Sequence, residues 1–294
     1  MTTILVPRIN DDMWDFRVLS RIWQQSQQAA AVRFDFRKCD FLRQNAVVFL
    51  GGLIRLLQSR GVPVKIDTAS MLPDVKKNLG RNGFLRTFLN DDGWGDGNTI
   101  PFREDLARSP ADYANFLAER WLGRGWIGVT PALRDAIVER VAECYLNAFE
   151  HSRSGIGIFT CGQYYPNKQD LHLAMVDFGV GIPSNVRMFR SGQAAETLDA
   201  TRCMQWAFQK GTSTRICVGG SRGLGLDLLR SFVQAANGSL RILSHDGYGR
   251  IDGAGNPAFQ TLEHYFEGTL VMIRLKCDAT RNCLASELVP VVDF

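Results

Sequence analysis

Glu143, Asn147 and His151 stand four residues apart, and the run Asp177-Phe178-Gly179-Val180-Gly181-Ile182-Pro183 follows them. This pairing constrains the fold more than any other stretch of the chain. On a helix, four-residue spacing stacks the acid, the amide and the imidazole on one face. A core-facing helix carries apolar residues on its buried stripe. The polar stripe therefore faces water or a polar pocket. A carboxylate followed by two glycines favours the pocket, because glycine lets the backbone bend sharply and approach a ligand closely.

The chain read in order supports an α/β architecture. Residues 3–9 read as a short strand. Asn10 is placed to cap a helix over 11–29, with Trp14, Val18 and Ile22 at helical spacing. Residues 32–36 alternate as a strand does. A strongly apolar helix is expected over 44–60, ended by Gly61. A strand over 62–67 and a helix over 73–82 follow. Strands alternating with helices predict a mostly parallel sheet with helical crossovers. Residues 90–98 are dense in Asn, Asp and Gly and read as a linker. Ser109-Pro110 and Thr130-Pro131 each carry the cap-and-proline signal of a helix start. The second of these helices bears Glu143, Asn147 and His151. Strands are expected over 155–161, 171–177, 238–244 and 269–275, and helices over 199–210 and 225–236. Residues 246–260 read as a long loop or mobile hairpin.

The motifs carry a resemblance. Glu143-x-x-x-Asn147-Ala148-x-Glu150-His151 resembles the N-box of the GHKL ATP-binding fold, shared by histidine kinases, anti-sigma-factor serine kinases and gyrase. Asp177-x-Gly179-x-Gly181 is similar to that fold's adenine-binding turn. Gly219-Gly220-Ser221-Arg222-Gly223-Leu224-Gly225-Leu226 resembles its second glycine motif, at the end of the lid over the phosphates. The resemblance implies ATP and Mg²⁺ as ligands. It implies an adenine contact at Asp177, with Gly179, Gly181 and Ile182 in the turn and Thr269 as a second contact. It assigns Mg²⁺ to Asn147. Glu143 is then the residue that orients or deprotonates the attacking water or hydroxyl. His151 is either a hydrogen-bonding helix-end residue or a phosphate contact. Lys210, Thr212, Ser213 and Arg222 fall where a lid neutralises phosphate charge. Gly223, Leu224 and Gly225 open a helix whose N-terminus suits phosphate.

Residues 31–88 resemble a STAS domain, the fold of anti-sigma-factor antagonists. Those antagonists carry a phosphorylatable Ser or Thr where the long helix starts. Here that place reads Arg43-Gln44-Asn45-Ala46, with no hydroxyl. The expectation is a docking or dimerisation module rather than a phosphorylation switch. The whole chain is thus expected to hold a STAS-like α/β domain over 1–90, a linker over 91–108 and a GHKL α/β sandwich ATP-binding domain over 109–294.

Composition bounds the function. No apolar run reaches the roughly 18 residues that cross a bilayer, and residues 1–7 lack the basic-then-apolar pattern of a signal peptide. Seven cysteines are scattered, with no Cys-x-x-Cys pair. That pattern argues for reduced thiols in a cytoplasmic setting and against a disulfide framework or a zinc site. Residues 1–90 hold fourteen Lys/Arg against seven Asp, a net +7, and the remainder is at −3. The arginines form no dense cluster interleaved with aromatics, so nucleic acid is not the expected partner. The four histidines are His151, His172, His245 and His264. None precedes the ATP-binding region, which excludes a self-contained sensor histidine kinase. The expected activity is that of a bacterial-type signalling protein. It hydrolyses Mg·ATP or transfers its phosphoryl group to a Ser or Thr of a protein partner. The alternative is a non-catalytic nucleotide-gated interaction switch. The front module is the expected contact with a partner or with a second copy of the chain.

Overall fold

The structure is a computed structural model that describes residues 1–92, 95, 97–190, 198–209, 238–252 and 257–277. Its centre is a seven-stranded sheet. In chain order the strands are β4 (Thr99–Asp105), β5 (Ile158–Tyr165), β6 (Asp170–Asp177), β7 (Ser239–Ser244), β8 (Gly247–Asp252), β9 (Ala258–Thr261) and β10 (Thr269–Lys276). They lie in the order β4-β5-β6-β10-β7-β8-β9. Every neighbouring pair is antiparallel. A smaller sheet of β1 (Thr2–Leu5), β2 (Val32–Asp35) and β3 (Val64–Asp67) is parallel throughout. The chain is α/β, but the expected mostly parallel sheet holds only for these first strands. The larger sheet differs because β5 and β6 are joined by a short turn at Pro166–Lys168, closed by left-handed Gln169 (φ 50°). A turn that short returns the chain antiparallel, whereas a parallel neighbour needs a long crossover.

Two helices lie between the two sheets. α1 (Met13–Gln27) is capped by Asp12, two residues beyond the expected Asn10. The Asp12 carboxylate accepts from the N–H of Trp14 and of Asp15, and Asp15 reaches back to the N–H of Asp12. This reciprocal cap out-competes a lone Asn. α2 (Gln44–Ser59) is buried at thirteen positions, including Val47, Phe49, Leu53 and Leu57. A helix apolar on all sides must be covered on all sides. α2 packs on β5 and β6 and, away from them, on β3. One continuous apolar core joins Ile4, Val32 and Phe34 to α2, and α2 to Phe159, Val176 and Phe266. Gly51 and Gly52 let α2 come this close. A Cβ on Gly51 would lie 2.4 Å from the Phe102 ring. α3 (Pro73–Arg81) and α4 (Phe84–Leu89) complete this side.

The opposite face of the large sheet carries a second core, built on Ile137, Val141, Tyr145, Leu173 and Ile273. α5 (Pro110–Phe116), continued by a π-helical turn to Leu122, and α6 (Pro131–His151) cover it. α7 (Gly181–Phe189) and α8 (Ala200–Ala207) flank its open end. Strand β4 falls within residues expected to be linker. Arg55 of α2 grips Glu104 on it through two hydrogen bonds of 2.8 and 3.0 Å. Of the two readings for residues 246–260, the hairpin is the one found, since β8 and β9 pair antiparallel there. The expected helix over 225–236 lies outside the described residues.

Candidate functional site

Thr130 caps α6 by accepting from the N–H of Leu133 at 3.3 Å, and Pro131 takes the first helical position. From this start, Leu133, Ile137, Val141, Cys144 and Tyr145 fall on the buried side. Glu143, Asn147 and His151 fall beside them, half-buried, along the edge of a cavity. Tyr145 fixes the helix in place. Its ring stacks on Tyr113 of α5 with centroids 4.0 Å apart, and its hydroxyl accepts from the N–H of Ser109.

The glycine turn closes on the end of this same helix. The N–H of Val180 donates to the carbonyl of Ser152 at 2.7 Å. A Cβ on Gly179 would lie 2.0 Å from that carbonyl oxygen, so only glycine fits. Gly181 has φ 72°, a backbone region that side chains disfavour. Asn185 of α7 then bridges the carbonyls of His151 and Gly181 at 3.0 and 3.1 Å. Two motifs separated in sequence are thus one physical unit.

The cavity has a volume of about 760 Å³. Seven of the sequence-predicted residues line it: Glu143, Asn147, His151, Asp177, Gly181, Ile182 and Thr269. Gly179 stands behind the wall and shapes the turn. Lys210, Thr212, Ser213, Arg222, Gly223, Leu224 and Gly225 lie outside the described residues. The expected helix over 199–210 is α8, capped by Asp199, and it contributes Trp206 and Ala207 to the lining.

Asp177 ends β6 with its carboxyl in the cavity wall. It is 4 % exposed, and burial pushes the carboxyl up to about 7. The backbone N–H groups of Gly179 and Thr269 oppose that shift by stabilising the anion. Apolar side chains of Met175, Ile182, Val186 and Val271 surround it. This is a pocket with apolar walls and one strong acceptor, suited to a flat ring that presents a donor edge.

At the other end the lining is polar. Glu143 faces Arg140 at 3.6 Å, and Arg108 faces Glu150 at 3.4 Å. Among the described residues the Asn147 amide makes no side-chain hydrogen bond. Among the described residues no group of three His, Cys, Asp or Glu gathers to hold a metal. A cation here would draw most of its ligands from elsewhere, as Mg²⁺ does when it rides on phosphates.

Sequence reasoning missed the residues that hold the turn. Ser244 Oγ accepts from the N–H of Ile182 at 2.9 Å and donates to the carbonyl of Gly268 at 2.8 Å. It also lies 3.2 Å from the Thr269 hydroxyl. His245 Nε2 sits 2.8 Å from the carbonyl of Val180. Both come from the end of β7, far along the chain, and no local pattern marks them. Arg140 was legible, one helical turn before Glu143. Among the described residues no helix is long and apolar enough to cross a membrane. The five described cysteines, Cys39, Cys144, Cys161, Cys203 and Cys277, are unpaired thiols. No protein-family model matches the chain, and no curated protein matches it.

Proposed function

We propose that the cavity binds an adenine nucleotide with Mg²⁺, in the manner of the GHKL ATPases and kinases that the motifs resemble. The observation that carries this reading is the buried Asp177 carboxyl in an apolar pocket at the end of the polar stripe of α6. An exocyclic amino group supplies a further hydrogen-bond donor to this buried carboxylate, beside the backbone N–H groups of Gly179 and Thr269. Met175, Val271 and Ile182 clasp the faces of the ring, and Thr269 offers a second polar contact. The phosphates run toward α6, Arg140 and Arg108. Mg²⁺ neutralises phosphate charge there, and Asn147 supplies its protein oxygen. Glu143 orients and deprotonates the attacking water or the hydroxyl of a protein Ser or Thr.

One observation favours a second reading, the nucleotide-gated switch. Phe178, inside the glycine turn, packs on Phe49 of α2 with ring centroids 5.4 Å apart. Occupancy of the turn then biases the packing of the front region, and with it the surface offered to a partner. Calorimetry with Mg·ATP and Mg·GTP tests binding, and adenine preference is the expected result. ATP labelled at the γ-phosphate separates the readings. Free phosphate or a labelled partner supports catalysis, and intact ATP in the presence of binding supports the switch. Absence of any nucleotide binding overturns both.

A further inference from the structure

The face of the large sheet away from the cavity carries a buried polar seam. It lies where the start of α2 meets β6, β7 and β10. Arg43, the N-cap of α2, and Arg241 of β7 both pair with Asp11. Arg274 and Lys276 of β10 both pair with Asp170 of β6, at 3.9 and 2.8 Å. Four cations therefore share two carboxylates, and the seam is left at +2. His172 stands between the two groups, next to Asp170 at 3.8 Å and directly across the strand pair from Arg274. Its ring meets Tyr165 at 5.0 Å, and the Arg43 guanidinium lies over that same tyrosine at 4.5 Å.

The seam also has hydrogen-bonding groups to spare. Arg43 has a side chain only 5 % exposed, and its Nε and Nη1 bond to nothing. Its pairing with Asp11 at 3.4 Å lacks hydrogen-bond geometry. Both ring nitrogens of His172, 0 % exposed, are unpartnered. Gln44 Nε2, Ser239 Oγ and the Nε of Arg241 and of Arg274 are unpartnered as well. Most of these are donors; Asp170 Oδ1, an acceptor in the same seam, has its ion pair with Lys276 but no hydrogen-bond partner. A buried donor without an acceptor costs about 1–3 kcal/mol, and buried like charges without neutralisation cost more. Arg43 offers no acceptor to the first-turn N–H groups of α2, so the positive end of the helix dipole adds to the excess.

We infer that this seam is a binding site for a small oxyanion of charge −2, of the phosphate or sulfate class, held by Arg43, Gln44, His172, Arg241 and Arg274. Such an ion supplies acceptors and two negative charges, which is what the seam lacks on both counts. Entry is from the side of Arg274 and Lys276, which are 28 % and 35 % exposed. In the seam as it stands, burial pushes the His172 imidazole down to about 4, with Asp170 and Asp11 pulling it up and Arg43 pulling it further down. A dianion beside it favours the charged ring and raises that value. The site is separate from the nucleotide cavity and does not depend on that reading.

Thermal unfolding of the full chain tests it, with sodium phosphate or sulfate titrated at ionic strength held constant by chloride. Both oxyanions are expected to raise the Tm by about 3 °C or more at saturation. The increment should persist in Asp177→Asn and disappear in Arg43→Gln. Should Arg43→Gln fail to fold, the imidazole NMR signals of the wild type decide. The His172 ring is expected to shift on phosphate addition while that of His264 stays in place. A Tm that responds equally to chloride, an increment retained in Arg43→Gln, or His172 signals unmoved by phosphate overturns the site.

Discussion

Gly52 of α2 faces Phe178 of the glycine turn so closely that a Cβ on Gly52 would fall 2.4 Å from Cε2 of that ring. The same Cβ would lie 2.8 Å from Cδ2 of Phe159. The helix under the sheet and the turn beside the cavity therefore share one packing interface. Gly52→Ala gains up to about 1 kcal/mol of helix propensity. It must also push apart two buried rings, and overpacking costs about 1–3 kcal/mol. The expected result is a net loss of stability in urea, with nucleotide affinity reduced because Phe178 moves the turn. A variant as stable as the wild type, with unchanged affinity, would show that the rings yield freely.

Asp177 makes both stability and ligand binding depend on pH. Its carboxyl is raised from 3.8 to about 7 in the folded protein. The folded state holds its proton more tightly than the unfolded state does. Stability from this group is therefore fully present below about pH 4 and is lost as pH rises through 7. Asp177→Asn has no such proton, so its Tm should be flatter across pH 4–8 and should exceed the wild-type Tm most at the alkaline end. Adenine binding runs the other way. The ionised carboxylate is the acceptor, so wild-type affinity should climb by at most about tenfold per pH unit below 7 and level off above. At pH 8, Asp177→Asn should bind roughly one to two decades more weakly. Equal ATP affinity of the two proteins by calorimetry would remove Asp177 from the site.

Ser244 is expected to govern the order of the turn. Ser244→Ala leaves the half-buried N–H of Ile182 without the acceptor that the fully buried Ser244 supplies. The loss should be about 1–3 kcal/mol. Amide exchange is the direct readout, because local opening frees that N–H. Protection of the Ile182 amide should fall more than that of amides in β5, and nucleotide affinity should weaken. Unchanged protection at Ile182 would mean that the backbone alone holds the turn.

The parts of the site that follow from local chemistry were legible in the sequence. Thr130-Pro131 marks the start of α6 through a side-chain cap and a missing N–H. The spacing of Glu143, Asn147 and His151 then puts all three at the cavity edge without reference to any distant residue. Strand direction was not legible, because an alternating pattern reads the same in parallel and antiparallel pairs. β4 was hidden by Pro101, which argues against a central strand. It is tolerated because β4 is an edge strand whose register shifts between Ile100 and Arg103. Gly51 and Gly52 interrupt the apolar side chains of α2 in sequence, yet they are the positions where α2 meets Phe102 and Phe178. Ser244, His245 and the cations around His172 act only through contacts across the sheet. Nothing in their neighbours announces them.

Asn147 and Glu143 separate binding from catalysis. Both line the cavity from one face of α6, and the proposed reading assigns them to different parts of a bound nucleotide. In the proposed reading Asn147 would supply an oxygen to the metal, so Asn147→Ala should weaken Mg·ATP binding and abolish turnover together. Glu143 acts on the nucleophile. Removing its carboxylate relieves like-charge repulsion with the triphosphate, and it leaves Arg140 one acidic partner, Glu139 at 3.4 Å, in place of two. Glu143→Ala should therefore bind ATP at least as tightly as the wild type. Its turnover should fall by roughly 10²–10⁴-fold, the range for a general base. Calorimetry for affinity and single-turnover release of labelled phosphate make the comparison. If Glu143→Ala and the wild type share the same background rate with every partner tried, the catalytic assignment fails. The nucleotide-gated switch then accounts better for a turn packed on α2.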